Sequence, residues 1–199
     1  MNNQSILIIG NGESILNNKL QNKIDAFDVV LRINNYQTAG YEEFLGTKTD
    51  IWFNGANSKL TTPENIPGRV VVAIPSKVFL KYEEDILPYV SKRINMKNEK
   101  FLLIPKDDIL NYESIVGHTR LTTGLYAIMW ALKNYEDIYI HGFDFFINSK
   151  SHYYDSKLTN FVNENILNKG HKHDNQKERD FANNLIDKNK IKRLVNIND

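Results

Sequence analysis

Ile6-Leu7-Ile8-Ile9 is apolar without a break, and Gly10-Asn11-Gly12 ends it at once. A strand with no polar alternation has no face to give to water, so it belongs in a sheet covered by helices on both sides. The pattern recurs along the chain. Ser5–Ile9, Asp28–Ile33, Asp50–Asn54, Arg69–Ile74, Phe101–Ile104, Asp137–His141 and Arg193–Ile197 read as short strands, most of them stopped by Gly, Asn or Pro. Between them, Ser14–Ile24, Lys81–Arg93 (with Pro88 as a break), Thr122–Leu132 and Asn175–Leu185 carry apolar residues at helical spacing. Strands alternating with helices predict one α/β domain over residues 1–199, a Rossmann-like three-layer α/β/α sandwich with a mostly parallel sheet. Residues 146–175, rich in Ser, Asn, Lys, His and Tyr, have the composition of a flexible lid.

Composition removes several classes of function. Twenty-five Lys and Arg balance 24 Asp and Glu, which excludes a bulk electrostatic nucleic-acid binder. With no cysteine, there is no disulfide, thiolate nucleophile, Cys-ligated zinc or iron–sulfur cluster. The longest apolar runs are far too short for a signal peptide or a membrane span. The expectation is a cytoplasmic protein, with peripheral contact at the inner membrane left open.

In such a fold ligands lie at the carboxyl ends of the strands. The segments Gly10–Ser14, Arg32–Tyr36, Asn54–Asn57 and Gly142–Phe146 are therefore the places to search. Gly10 and Gly12 let a ligand approach the backbone, and a following helix start attracts phosphate. A third glycine of the dinucleotide fingerprint would fall on Ile15, which disfavours NAD and leaves a mononucleotide. Asn34 and Asn54 offer amides that both donate and accept, suited to a base or to sugar hydroxyls. Thr122-Thr123-Gly124 opens an apolar helix, as a simple cap or as an anion cradle.

Four of the five histidines fall in or beside the lid half: His141, His152, His171 and His173. Neutral imidazole is well matched to removing a hydroxyl proton near pH 7. His152-Tyr153-Tyr154-Asp155 adds two phenols and a carboxylate. A metal reading with His152, Asp155, His171 and His173 lacks the His-x-x-x-His helix spacing, so no metal site is expected.

Four ordered motifs give the chain a resemblance to the sialyltransferases, both the large eukaryotic-type family and the bacterial lipooligosaccharide family. Ile6 to Asn57 resembles the long sialylmotif through its glycine turn, Asp28-x-Val30-x-Arg32-x-Asn34 and Gly46-Thr47-Lys48-Thr49-Asp50. Leu121–Gly124 followed by Ile138–Asp144 resembles the small motif, His152–Asp155 the third, and His173-x-x-x-x-Glu178 the very small one.

The resemblance implies a GT-A-like variant fold and an inverting transfer of sialic acid from CMP-sialic acid to a hydroxyl of a glycan, lipooligosaccharide or capsule acceptor. No cofactor or metal is implied. Donor-binding residues would be Gly10, Asn11, Gly12, Asn34, Asn54, Thr122, Thr123, Gly124, Gly142, Asp144 and Tyr153. His152 would stabilise the departing phosphate, His173 would act as base, and Glu178 would orient its surroundings. His171 is the alternative base, because Gly170-His171 also resembles the bacterial pattern. The missing cysteines depart from the eukaryotic type, whose long and small motifs are joined by a disulfide, and fit a bacterial type. Phe146 stands where bacterial members often have tyrosine. Other readings of the same residues are a CMP-Kdo-dependent transferase, a nucleotide-binding or hydrolysing domain without transfer, and a non-catalytic binding protein.

Overall fold

The computed structural model describes residues 2–144, 153–154 and 174–194. Within them lie β1 (Asn2–Ile9), β2 (Val29–Ile33), β3 (Ile51–Asn54), β4 (Arg69–Val72), β5 (Leu102–Leu103), β6 (Tyr135–His141) and β7 (Lys192–Arg193). They form one sheet of order β5-β4-β3-β2-β1-β6-β7, and every pairing is parallel. The order reverses between β1 and β6, the topological switch point of the sheet.

Successive side chains of β1 enter opposite layers. Ile6 and Ile8 join the larger core, and Leu7 and Ile9 join a smaller one with Ile15, Leu20, Ile24, Val30 and Leu45. The smaller core is roofed by a 3-10 turn (Glu13–Asn17), α1 (Gln21–Asp25) and α2 (Glu42–Leu45). On the other face lies α6 (Thr123–Asn134), which packs across β1, β2, β3 and β6 with Leu125 through Ala131 all buried. That helix is apolar all round because it is covered on every side. Around it stand α3 (Ser76–Tyr82), α4 (Ile86–Ile94), α5 (Lys106–Val116) and α7 (Asn175–Asp187).

The structure corrects three sequence-based elements. The helix expected over Ser14–Ile24 is a 3-10 turn and a separate short helix. Asn18 between them is extended, and asparagine favours such breaks by competing for the backbone. The helix expected over Lys81–Arg93 splits at Glu83, whose φ is +37°. Pro88 then falls in the first turn of α4, where its missing N–H has no intrahelical partner to lose. For α5 the sequence reading gives no element. Its signals are Asp107 and Asp108 in the first turn and Gly117 in the left-handed conformation after the last. Of the expected lid, only Tyr153, Tyr154, Asp174 and Asn175 are described. Among the described residues no helix is long and apolar enough to cross a membrane.

Candidate functional site

Buried polarity is concentrated at the carboxyl edge of the sheet. Among the described residues the buried polar or charged side chains are Arg32, Asn54, Ser76, Glu113 and Glu178. Burying such groups is costly unless they are hydrogen-bonded, so their collection in one region marks where structure is held for a purpose.

The ends of β1 and β6 are clasped together. Gly10 N–H donates to the His141 carbonyl (2.8 Å) and Gly12 N–H to the Gly142 carbonyl (2.9 Å). A Cβ on Gly10 would overlap the Gly142 carbonyl oxygen, and one on Gly12 would overlap the Asp144 carboxylate. Gly142 has a φ of +69°, a conformation that favours glycine. The Asp144 carboxylate accepts from the Ser14 amide (3.0 Å) and from the Ser14 hydroxyl. The anion at this turn is thus the chain's own carboxylate. Ser14, where the sequence reading starts a helix, gives its amide and hydroxyl to Asp144. The His141 imidazole donates to the Ile15 carbonyl, while its Nε2 is buried without a hydrogen bond. Burial pushes the pKa of His141 down to about 4, so the ring is neutral.

The next two strand ends carry the asparagines. Asn11 donates both amide hydrogens to carbonyls, of Ile33 (3.0 Å) and Asn35 (2.8 Å), and so ties the glycine turn to the end of β2. Asn34 has a φ of +51°, and its side-chain oxygen accepts from Gly55 N–H (3.1 Å). Asn54 is fully buried. Its Oδ1 accepts from Ala56 N–H (3.1 Å), and its Nδ2 has no hydrogen-bond partner. Beneath them Arg32 is buried without a carboxylate on it. Its guanidinium donates to the carbonyls of Leu45 (2.7 Å) and Lys48 (3.2 Å) and to Thr49 Oγ1 (2.9 Å), holding the loop before β3.

Tyr153 packs against this region as a strut. Its hydroxyl donates to the Gln37 carbonyl (2.6 Å) and accepts from Gln37 N–H (2.8 Å). Burial raises its pKa to about 12. Both roles of the phenol are taken up by the backbone, and the contact fixes the loop after Asn34.

The start of α6 completes the arrangement. Thr122 Oγ1 caps the helix by accepting from Leu125 N–H (3.2 Å). Thr122 in turn donates its own N–H (2.8 Å) and hydroxyl (2.5 Å) to Glu178 on α7. Glu178 is fully buried, and desolvation raises its pKa to about 7 despite the Thr122 bonds. A Cβ on Gly55 would lie 2.8 Å from Thr123 Oγ1, and one on Gly124 would lie 2.9 Å from the Phe143 ring. The glycines therefore mark where the ends of β3 and β6 press against the first turn of α6. Gly10, Asn11, Gly12, Asn34, Asn54, Thr122, Thr123, Gly124, Gly142 and Asp144 come to one edge of the sheet, with Glu178 behind them. His152, His171 and His173 lie outside the described residues. Gly55, Phe143 and Glu113 are not singled out as site residues by the sequence, although Gly55 sits in a recognisable Asn-Gly turn.

The family profile described as glycosyltransferase family 29 (sialyltransferase) matches residues 4–78 and 69–190. The chain belongs to that family. It is 30% identical over 177 residues to the rat CMP-N-acetylneuraminate-beta-galactosamide-alpha-2,3-sialyltransferase 4, covering 75% of this chain and 53% of that protein. It is 25% identical over 216 residues to the human type 2 lactosamine alpha-2,3-sialyltransferase, covering 95% and 64%. The chain thus spans between half and two thirds of these relatives' length.

The fold is shared with a mammalian sialyltransferase in complex with Gal-beta-1-3GalNAc-ortho-nitrophenol. There the TM-score is 0.70 at 19% identity, over 96% of this chain and 69% of that one. The sialyltransferase CstII from Campylobacter jejuni, in complex with cytidine-5'-monophosphate, gives a TM-score of 0.57 at 19% identity over 96% and 78%. A mostly parallel sheet in a Rossmann-like sandwich is what the sequence predicts, and every pairing in the sheet is parallel. The family is also the one its motifs resemble.

Proposed function

We propose that this chain transfers sialic acid from CMP-sialic acid to a galactose-terminated glycan. Family membership supports the reaction class. The names of the relatives, alpha-2,3-sialyltransferases of beta-galactosamide and lactosamine, support the acceptor class. The observation that carries the donor reading is the unpartnered Nδ2 of Asn54, a buried donor at the carboxyl end of β3. A buried N–H without an acceptor costs about 1–3 kcal/mol, and an oxygen-rich ligand at that edge would relieve it.

In the reaction the acceptor oxygen attacks the anomeric carbon of the donor sugar as the bond to the CMP phosphate oxygen breaks. CMP leaves with that electron pair, and the acceptor proton passes to a base. Displacement from the opposite side inverts the anomeric centre. The base is His173 on this proposal, with His171 as its alternative, and His152 stabilises the leaving phosphate. Glu178, bonded to Thr122, joins the start of α7 to the start of α6, five residues after His173. Asp144 and Tyr153 act on the donor by shaping the turn and loop beside it, since their polar atoms bind Ser14 and Gln37. The transfer is proposed to need no divalent cation.

Incubation with CMP-N-acetylneuraminate and a galactoside panel in the presence of EDTA tests the proposal. Acceptor-dependent CMP release with a new glycoside is expected. Release without acceptor would make the chain a hydrolase, and failure to bind CMP would refute the donor reading. His173→Ala should lower turnover about 100-fold or more. Unchanged turnover would transfer the role to His171.

A further inference from the structure

The first turn of α6 is held by two buried carboxylates. Glu178 binds Thr122 from α7. One turn on stands Glu113, near the end of α5 and 4% exposed. Its Oε1 accepts from Ser76 N–H (3.0 Å) and from the Tyr126 hydroxyl (2.6 Å), and its Oε2 accepts from the Ser76 hydroxyl (2.5 Å). Ser76 opens α3 after the end of β4, and Tyr126 lies one turn into α6. Tyr126 N–H donates to the Thr122 carbonyl (3.1 Å), so the phenol and the cap residue share one helical turn. The Glu113 carbonyl also accepts from Gly117 N–H (2.8 Å) and His118 N–H (3.1 Å), which directs the chain out of α5 towards Thr122.

A buried carboxylate is an expensive way to fill space. With three neutral donors on it, however, it admits few arrangements of those donors. We infer that Glu113 is a positioning residue for the nucleotide site, fixing the first turn of α6 against the carboxyl end of β4 so that Thr122, Thr123 and Gly124 face the strand-end cleft. The inference rests on the donor reading proposed above and extends it to a residue that touches no substrate.

Titration calorimetry with CMP separates positioning from mere stability, because a loss of folded protein lowers the stoichiometry and leaves the Kd of the remainder unchanged. Glu113→Ala should weaken CMP binding about 10-fold at unchanged stoichiometry, the scale of one transmitted hydrogen bond. Tyr126→Phe, which deletes only one bond, should weaken it about 3-fold and serves if the alanine variant does not fold. Glu113→Gln should stay within about 2-fold of the unaltered chain, since an amide can keep all three contacts when the Ser76 hydroxyl turns to accept. A Kd unmoved in Tyr126→Phe and Glu113→Ala overturns the inference alone. Absence of CMP binding by the unaltered chain overturns the donor reading, and this inference with it.

Discussion

Replacing Glu178 by glutamine turns the joint between α7 and α6 into one that no longer titrates. In the unfolded chain this carboxyl loses its proton near its ordinary 4.5, and in the fold near about 7. Burial is the main cause. Asp174 at the start of the same helix adds to it, and the amide and hydroxyl of Thr122 oppose it. Between those two values the folded state keeps a proton that the unfolded state has released. Stability is therefore largest below 4.5 and falls as the pH rises to about 7. The displacement corresponds to on the order of 3 kcal/mol. His141 opposes it: a group lowered from 6.5 to about 4 favours the fold above 6.5 and loses stability as the pH falls. The unaltered chain's own profile is therefore flattened, and only a difference between variants reads Glu178. Urea unfolding followed by tryptophan fluorescence, at steps from about pH 4.5 to about pH 8, supplies it. The stability of the unaltered chain minus that of Glu178→Gln should fall by about 3 kcal/mol across the window and level off above it. A difference constant to within about 0.5 kcal/mol at every pH would refute a buried carboxylate at this joint.

His141→Gln should show the mirror image, with its stability difference from the unaltered chain growing as the pH rises from about 4 to 6.5, read from the same urea series. Asn54→Ala should weaken CMP binding about 10-fold or more in calorimetry, because the unpartnered Nδ2 is removed together with the Ala56 contact. Gly10→Ala places a methyl group on the Gly142 carbonyl, a backbone atom that cannot turn aside. Its melting temperature should drop by the equivalent of about 3 kcal/mol, and a drop worth under about 0.5 kcal/mol would show that the β1–β6 clasp yields.

The sequence makes the sheet legible because its strands are buried on both faces and their apolar runs are unbroken. The start of α6 is equally plain, since Thr122 precedes an apolar stretch and caps it. What sequence order hides is long-range capture. Nothing near Ser14 announces that its amide and hydroxyl belong to Asp144, 130 residues on, and so the turn there reads as a helix start and a phosphate seat. Tyr153 reads as a phenol beside a histidine, yet its hydroxyl is bound to the backbone of Gln37, 116 residues earlier. Glu113 carries no signal at all. A glutamate in a polar helix is ordinarily solvated, and only the fold brings Ser76 and Tyr126 to it. Glu178 is recognisable from its spacing to His173, whereas its partner Thr122 is known only from the structure.

The clasp between the glycine turn and Asp144 also dictates an order of assembly. β1 lies inside the sheet between β2 and β6, and β6 begins only at Tyr135. While the chain is being synthesised from its amino end, the edge of β1 that β6 will cover has no native strand to pair with until the residues from Tyr135 to His141 have followed it. Pairings this distant along the chain close slowly, and an unpaired apolar edge invites a neighbouring molecule in the meantime. The pairing that brings the glycine turn to Asp144 thus leaves an apolar strand edge open during biogenesis until β6 arrives.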